Sequence, residues 1–163
     1  MKIEADQDDT QPGALPRLGE IGLENYAPYL MNRIMGRYNA ALRAELAELG
    51  LTTPQMRALA VLSVMDGILI RELSVYAVVE QSTLSRALEK LVRDGKVRRE
   101  ADPSDSRAAR LYLTDAGRED YIRLWPHMAQ SYRNMFRDID AEESRAFVAT
   151  LQKILRNVRV HDF

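Results

Sequence analysis

The chain has 163 residues, 46% of them hydrophobic and 29% charged, with a formal net charge of −1 and no cysteine. Its length and composition suit one domain with extensions, folded around an apolar core. Disulfides, thiolate metal sites and thiol redox or nucleophilic chemistry are excluded, and no apolar run approaches the roughly 18–20 residues that cross a bilayer.

Residues 1–20 carry a net charge of −3, with Pro12, Gly13 and Pro16 set among acids and amides. They offer too little apolar surface to offset ordering, which predicts a flexible arm. An acidic, polar start is unlike a secretion signal, so the cytoplasm is the expected location. From about Asn25, apolar residues recur at three- and four-residue steps through Leu30, Ile34, Tyr38, Ala41, Leu42, Leu46 and Leu49. The spacing predicts a long helix ending near Gly50, a residue suited to a left-handed cap. "TTPQMRALAVLSVM" predicts a second helix with Thr53 as N-cap and Pro54 at its first position, stopped by Gly67.

"ILIRELSVYA" predicts a short third helix, and "VVEQ" a brief turn before "STLSRALEKLVRDG". That fourth segment separates Leu84, Ala87, Leu88, Leu91 and Val92 from Ser82, Ser85, Arg86, Glu89, Lys90 and Arg93, an amphipathic helix closed at Gly95. "KVRRE" and "ARLYLT" alternate and are short, which predicts two strands of a hairpin joined by "ADPSDSRA". Thr114 is suited to cap a fifth helix, within which Pro126 predicts a kink or interruption. Ala141 to Val158 predict a sixth helix, started by Asp140 with Glu142 and Glu143 near the positive end of its dipole. The expected fold is mainly α with a small β-hairpin wing.

The fold of charge along the chain is uneven. Residues 82–110 hold eight cations against five anions, a local +3 suited to nucleic-acid phosphates. A short helix, a tight turn and a helix with a small-polar and basic face describe a helix-turn-helix, whose second helix fits the major groove. Ser82, Thr83 and Ser85 permit close approach to base edges and phosphates, Arg86 suits a bidentate contact to guanine or phosphate, and Lys90 and Arg93 suit phosphate. Arg107, near the hairpin tip, suits the narrow minor groove, and Asp105 two positions earlier is expected to brace its guanidinium. Glu80 precedes the fourth helix, where a better N-cap is expected.

The segments "TPQMRALAVL", "LSVYAVVEQSTLSRALEKLVRDGKV" and "READPSDSRAARLYLTDAGR" together resemble the MarR family of bacterial transcription regulators. The family's wing pattern, D-x-R followed by alternating apolar residues and L-T-x-x-G, is filled by Asp105, Arg107, Leu111, Leu113, Thr114 and Gly117. The resemblance covers about residues 25–160. It implies a winged helix-turn-helix with long N- and C-terminal dimerisation helices: an arm over 1–20, a dimerisation helix over 21–52, the DNA-binding domain over 53–115 and dimerisation helices over 116–163. It further implies a homodimer on pseudo-palindromic double-stranded operator DNA, with Arg107 in the minor groove and Ser82, Thr83, Ser85 and Arg86 in the major groove. Such a regulator is expected to be a repressor released by a small aromatic or anionic effector, whose binding residues the sequence leaves unknown. Without cysteine, a peroxide-sensing mode is excluded.

The dimer also has a physical argument, since the long first helix and the striped last helix expose more apolar surface than a small central module can cover. Trp125, His127, Tyr132, Met135 and Phe136 read as helix-packing core in preference to a ligand pocket. His127 and His161, far apart and without a cluster of partners, predict no metal site. No Gly-rich phosphate loop, nucleophile elbow or paired catalytic motif is present, so neither an enzyme nor a cofactor is expected. The competing reading is a winged helix that binds protein without binding DNA.

Overall fold

Three helices of this chain end in the same hydrogen-bonded device, and those endings set the layout of everything between them. The computed structural model describes residues 16–105 and 107–161; most of the arm expected over 1–20 lies outside them. Two compact units are present, one ending at Arg37 and one starting at Tyr38, with the division inside a long helix.

In the first unit, α1 (Leu18–Ile21) is a single turn. The Arg17 amide donates to Glu20 Oε2 at 3.0 Å, so the last residues of the expected arm form a capped turn. A 3-10 turn over Leu23–Asn25 leads to α2 (Ala27–Glu48). Leu18, Leu23, Leu30 and Ile34 are exposed.

In the second unit, α2 contributes Leu42 and Leu46 to the core and ends as predicted. The Gly50 amide donates to the Ala47 carbonyl and the Leu51 amide to the Leu46 carbonyl, a Schellman motif with Gly50 at φ +66°. Helix α3 (Thr53–Leu62) starts one residue earlier than expected, because Thr52 is its N-cap. Thr52 and Gln55 bond reciprocally, the Thr52 amide donating to Gln55 Oε1 at 2.9 Å, a pattern that Thr53 has no partner to complete.

The segment expected as one helix from Ile68 instead opens with a strand, β1 (Ile68–Leu69), before α4 (Ile70–Ala77). Gly67, at φ +78°, turns the chain so that its amide donates to the Leu111 carbonyl, and Glu72 caps α4 by accepting from the Leu69 amide at 3.1 Å. Helix α5 (Gln81–Arg93), β2 (Val97–Ala101), β3 (Ala109–Leu113), α6 (Asp115–Met135) and α7 (Ala141–Val158) follow. The hairpin therefore belongs to a three-stranded antiparallel sheet ordered β1-β3-β2, with Ile68 opposite Leu111 and Val97 opposite Leu113.

The core is built largely of leucine. Leu59, Leu73, Leu84, Leu88, Leu91, Leu111 and Leu124 are each 0% exposed. Each contributes about 1.5–3 kcal/mol relative to a solvated side chain. Four residues of α5 point into this core at helical spacing, Leu84, Ala87, Leu88 and Leu91, which leaves the opposite face in solvent.

Helix α6 runs through Pro126 without interruption. Proline removes one backbone donor, and here Ile122 and Pro126 lie on the exposed side of the helix, so the carbonyl left without its partner is open to water. Thr114 caps α6 by accepting from the Gly117 amide at 3.1 Å and donates its own hydroxyl to the Gly95 carbonyl at 2.7 Å. Asp140 caps α7 by accepting from the Glu142 and Glu143 amides. Among the described residues, no helix is long and apolar enough to cross a membrane.

Gly117 explains the glycine of the L-T-x-x-G run. A Cβ there would run into the Lys96 carbonyl oxygen and Leu113, at the point where the Thr114 amide also bonds that carbonyl. Gly117→Ala is expected to destabilise the protein by about 1–3 kcal/mol through forced displacement of the backbone at Lys96. Thermal unfolding followed by circular dichroism checks this, and an unchanged Tm would refute the close approach.

Candidate nucleic-acid interface

The interface is assembled from the exposed face of α5 and the tip of the β2-β3 hairpin. Helix α4 ends at a turn in which Val78 takes the left-handed conformation, φ +51° and ψ +50°. The Val78 amide bonds the Val75 carbonyl and the Val79 amide bonds the Ser74 carbonyl, again a Schellman arrangement. A β-branched residue is costly there. Arg57 of α3 supports it by donating to the Val78 carbonyl at 2.9 Å and the Ala77 carbonyl at 3.4 Å, while its second nitrogen donates to Asn39 of α2 at 3.3 Å.

Immediately after that turn, Glu80 caps α5. Its Oε2 accepts from the Ser82 amide at 2.8 Å, the Thr83 amide at 3.1 Å and the Ser82 hydroxyl. The sequence-based view of Glu80 as a poor cap is thereby corrected: its longer side chain folds back far enough to satisfy two helix-end donors. Those bonds hold its carboxyl below the ordinary value, the Ser82 hydroxyl contributing most.

Ser82, Thr83, Arg86, Lys90 and Arg93 are exposed on α5, and Ser85 is half-buried. Lys90 forms an ion pair with Asp94 at 2.7 Å, one turn on, which moderates its charge toward an external phosphate. At the end of α5 the Gly95 amide bonds the Val92 carbonyl and the Lys96 amide bonds the Leu91 carbonyl, the third Schellman motif. Lys96 then reaches the buried Asp120 of α6 at 2.5 Å, and Arg123 pairs with the same carboxylate. The start of the wing is thus anchored on both its main chain and its side chain.

The tip of the wing folds around two aspartates. Asp102, only 5% exposed, accepts through Oδ1 from the Ser104 amide at 2.8 Å, the Ser104 hydroxyl at 2.5 Å and the Asp105 amide at 3.0 Å. Its Oδ2 accepts from Arg110 Nε at 2.6 Å, and Arg110 also donates to the Gly67 carbonyl at 2.8 Å. Arg110 therefore ties the tip to the residue that begins β1. These donors, the Ser104 hydroxyl foremost, hold the Asp102 carboxyl at about 2.

Asp105 acts differently from the expected brace. Its Oδ1 accepts from the Arg107 backbone amide at 3.0 Å, and the described ion pairs include none between Asp105 and the Arg107 guanidinium. The i+2 main-chain amide lies within the short reach of an aspartate side chain and takes the bond. Asp105 orders the backbone carrying Arg107, whose side chain stays exposed. On the outer face of the hairpin, the Arg98 guanidinium lies 4.1 Å from the centre of the Tyr112 ring across the β2-β3 register and pairs with Glu100.

Between the wing tip, the start of α4 and α5 lies a cleft of about 540 Å³ whose walls include Ser85, Gln81, Arg71, Asp105, Arg107 and Arg110. The structure thus brings Ser85, Asp105 and Arg107 to one cleft, whereas Lys90 and Arg93 lie farther along α5. Asp102, Arg110, Glu80 and Arg57 were not singled out from the sequence as parts of this site. The Asp-x-Ser spacing of Asp102 and Ser104, characteristic of a side chain that caps its own turn, is the signal available for one of them.

The aromatic stripe of α6 is not among the walls of this cleft. Tyr132 stacks on Phe136 at 4.6 Å, and Phe136 lies 6.1 Å from Phe147 of α7. The contact of Phe136 with Phe147 packs α6 on α7, in keeping with the helix-packing role expected from the sequence, while Trp125 and Tyr132 remain about half exposed in the single chain. His127 pairs with Glu45 of α2. Among the described residues, no group of three or more His, Cys, Asp or Glu could hold a metal ion.

Comparison with known proteins agrees with this geometry. The family model described as "MarR family" matches residues 49–108, from the end of α2 to the wing. The HTH-type transcriptional repressor Rv2887 of Mycobacterium tuberculosis is 30% identical over 136 residues, 82% of this chain and 98% of the relative. A crystal structure of a MarR-family transcriptional regulator from Silicibacter pomeroyi is 61% identical with a TM-score of 0.87, covering 91% of this chain and all of that one. A second one from Silicibacter pomeroyi DSS is 26% identical with a TM-score of 0.80, over 91% of this chain and 98% of its own.

Asp102 gives the wing a pH signature. Its folded value is depressed, so its contribution to stability is complete above the ordinary carboxylate range near 4 and is lost as pH falls through about 2. The stability gap between wild type and Asp102→Asn, measured by denaturant unfolding from pH 6 downward, is expected to be constant to about pH 4 and then to close. A gap independent of pH over this range would contradict the assignment of Asp102 as an ionised acceptor of the Ser104, Asp105 and Arg110 donors.

Proposed function

Given that the chain belongs to the MarR family of DNA-binding transcription regulators, we propose that it is a homodimeric repressor that reads a pseudo-palindromic operator through α5 and the wing. The observation that carries this reading is the shared cleft. The polar face of α5 and the tip bearing Arg107 border one space, so a duplex with its major groove on α5 presents the adjoining minor groove to Arg107.

In this reading Ser85 and Arg86 contact base edges, Ser82 and Thr83 approach from the helix start, and Lys90 and Arg93 meet phosphate. Asp105 holds the backbone under Arg107. Residues 53–115 are the DNA-binding module. Residues 21–52 and 116–163 supply the dimer contacts, in which exposed apolar side chains such as Leu155 and Val158 of α7 meet a second copy. Repression follows the description of the Mycobacterium tuberculosis relative. Release by a small aromatic or anionic effector is an expectation drawn from the family resemblance alone.

Two measurements test this reading. Arg107→Ala is expected to weaken binding to a selected operator at least several-fold, with an unchanged fold and a salt slope smaller by about one. Equal affinity and slope in the two proteins would remove Arg107 from the interface. Leu155→Glu, at a position 63% exposed in the single chain, is expected to shift the protein from dimer to monomer in sedimentation equilibrium and to lower operator affinity with it. A dimer that survives this change would exclude this face of α7 from the interface.

A further inference from the structure

The cleft bordered by the wing tip, the start of α4 and α5 is lined by three guanidinium groups and three carboxylates, and these do not all cancel in pairs. Arg110 is committed to Asp102 and to the Gly67 carbonyl. Glu72 accepts from the Leu69 amide and Asp105 from the Arg107 amide, so both carboxylates are turned on main-chain donors. Arg71 and Arg107 are left. Both are exposed, and among the described residues neither guanidinium takes part in a hydrogen bond or an ion pair. They belong to different walls of the cleft, Arg71 to α4 and Arg107 to the wing, with Gln81 and Ser85 as the wall from α5. The packing of α4 rests on Leu73 and Ala77, so the fold itself places no demand for an arginine at position 71.

From this we infer that Arg71 is a further DNA-contacting residue, which grips a phosphate of the strand that separates the major groove at α5 from the minor groove at the wing. The inference deepens the DNA-binding reading and rests on it. Adjacent major and minor grooves of a duplex are divided by one sugar-phosphate strand. A protein with a helix in the first groove and a hairpin tip in the second passes that strand through the gap between the two elements. In this chain the gap is the cleft of about 540 Å³, and a strand crossing it runs past Arg71. The planar fork of a guanidinium matches two phosphate oxygens, and one without a protein partner gives up no ion pair on binding. Contacts to phosphate fix register and orientation and carry no sequence information. Arg71 therefore sets how α5 sits in its groove, and the bases are read by other side chains.

Titration of the full-length wild type, Arg71→Ala and Arg71→Lys with a selected operator and with random duplex, at several salt concentrations, tests this. Arg71→Ala is expected to weaken both by the same factor, about three- to tenfold near physiological salt, and to lower the salt slope by about one. Its selected sequence and its Tm are expected to match those of wild type. Arg71→Lys is expected to keep the wild-type slope, since an ammonium group still neutralises a phosphate, and to regain part of the affinity. The operator is then remade with single phosphates replaced by uncharged methylphosphonate. In wild type, replacement at one phosphate of each half-site, between the bases at α5 and the neighbouring minor groove, is expected to cost about as much as Arg71→Ala. In Arg71→Ala that replacement is expected to cost nothing further, while replacements elsewhere keep their effect.

Equal affinity and slope in wild type and Arg71→Ala would overturn the inference while leaving operator recognition intact. So would an Arg71→Ala protein as sensitive as wild type to every replaced phosphate. A loss confined to the operator, with random duplex unaffected, would also overturn it by making Arg71 a reader of bases. Absence of salt-dependent binding of wild type to any duplex would instead remove the DNA-reading function, and the role of Arg71 with it.

Discussion

Burial of the apolar stripe of α5 is the constraint on which the rest of the structure depends. Leu84, Leu88 and Leu91 have no exposed surface, and each loses several kcal/mol if the helix rotates it toward solvent. A helix locked in rotation by one face has its opposite face specified to within a fraction of a turn. Ser82, Arg86, Lys90 and Arg93 are presented outward by the same packing that holds the core together. The buried leucines thus decide which residues of α5 face solvent.

The wing depends on that helix at second hand. The Schellman ending at Gly95 fixes the direction in which the chain leaves α5, Lys96 is then bonded to α6 through its carbonyl and its ammonium group, and the sheet closes on β1 through Leu111. At the far end, Arg110 reaches back from the wing tip to Gly67 while pairing with Asp102. A two-stranded hairpin alone is marginal in water. This one is held by a third strand, by a buried ion pair at its base and by Arg110 near its tip, so Arg107 projects from a supported loop.

How far the sequence revealed this arrangement depends on whether the relevant signal was local. Gly50 and Gly95 announce the endings of α2 and α5, since glycine enters the left-handed region without steric cost, and both helices end there. The turn between α4 and α5 uses the same hydrogen bonds with Val78, a residue that carries no such signal because its support comes from Arg57, 21 positions away. Strand β1 was invisible for a related reason: two residues have no period, and Ile68 and Leu69 are a strand only because Leu111 and Arg110 lie beside them. Asp102 shows the same limit. Its turn with Ser104 was legible, its pairing with Arg110 was not, and Asp105 was matched to the wrong group of Arg107 because side-chain charge outweighed the closer main-chain donor in that reading.

The same accounting of partners resolves how a chain of net charge −1 suits a polyanion. Around the reading surface, four carboxylates are turned on protein donors: Asp102 on Arg110 and Ser104, Asp105 on the Arg107 amide, Asp94 on Lys90 and Glu80 on the start of α5. Arg86 and Arg107 extend from the same surface into solvent. A phosphate arriving there meets outward guanidinium groups, while these carboxylates have hydrogen-bond donors of their own and are held away from it. Glu80 departs from this pattern in one respect, because its partners are the donors that would otherwise have bound the phosphate. Its carboxylate therefore occupies the helix end that would otherwise attract an anion.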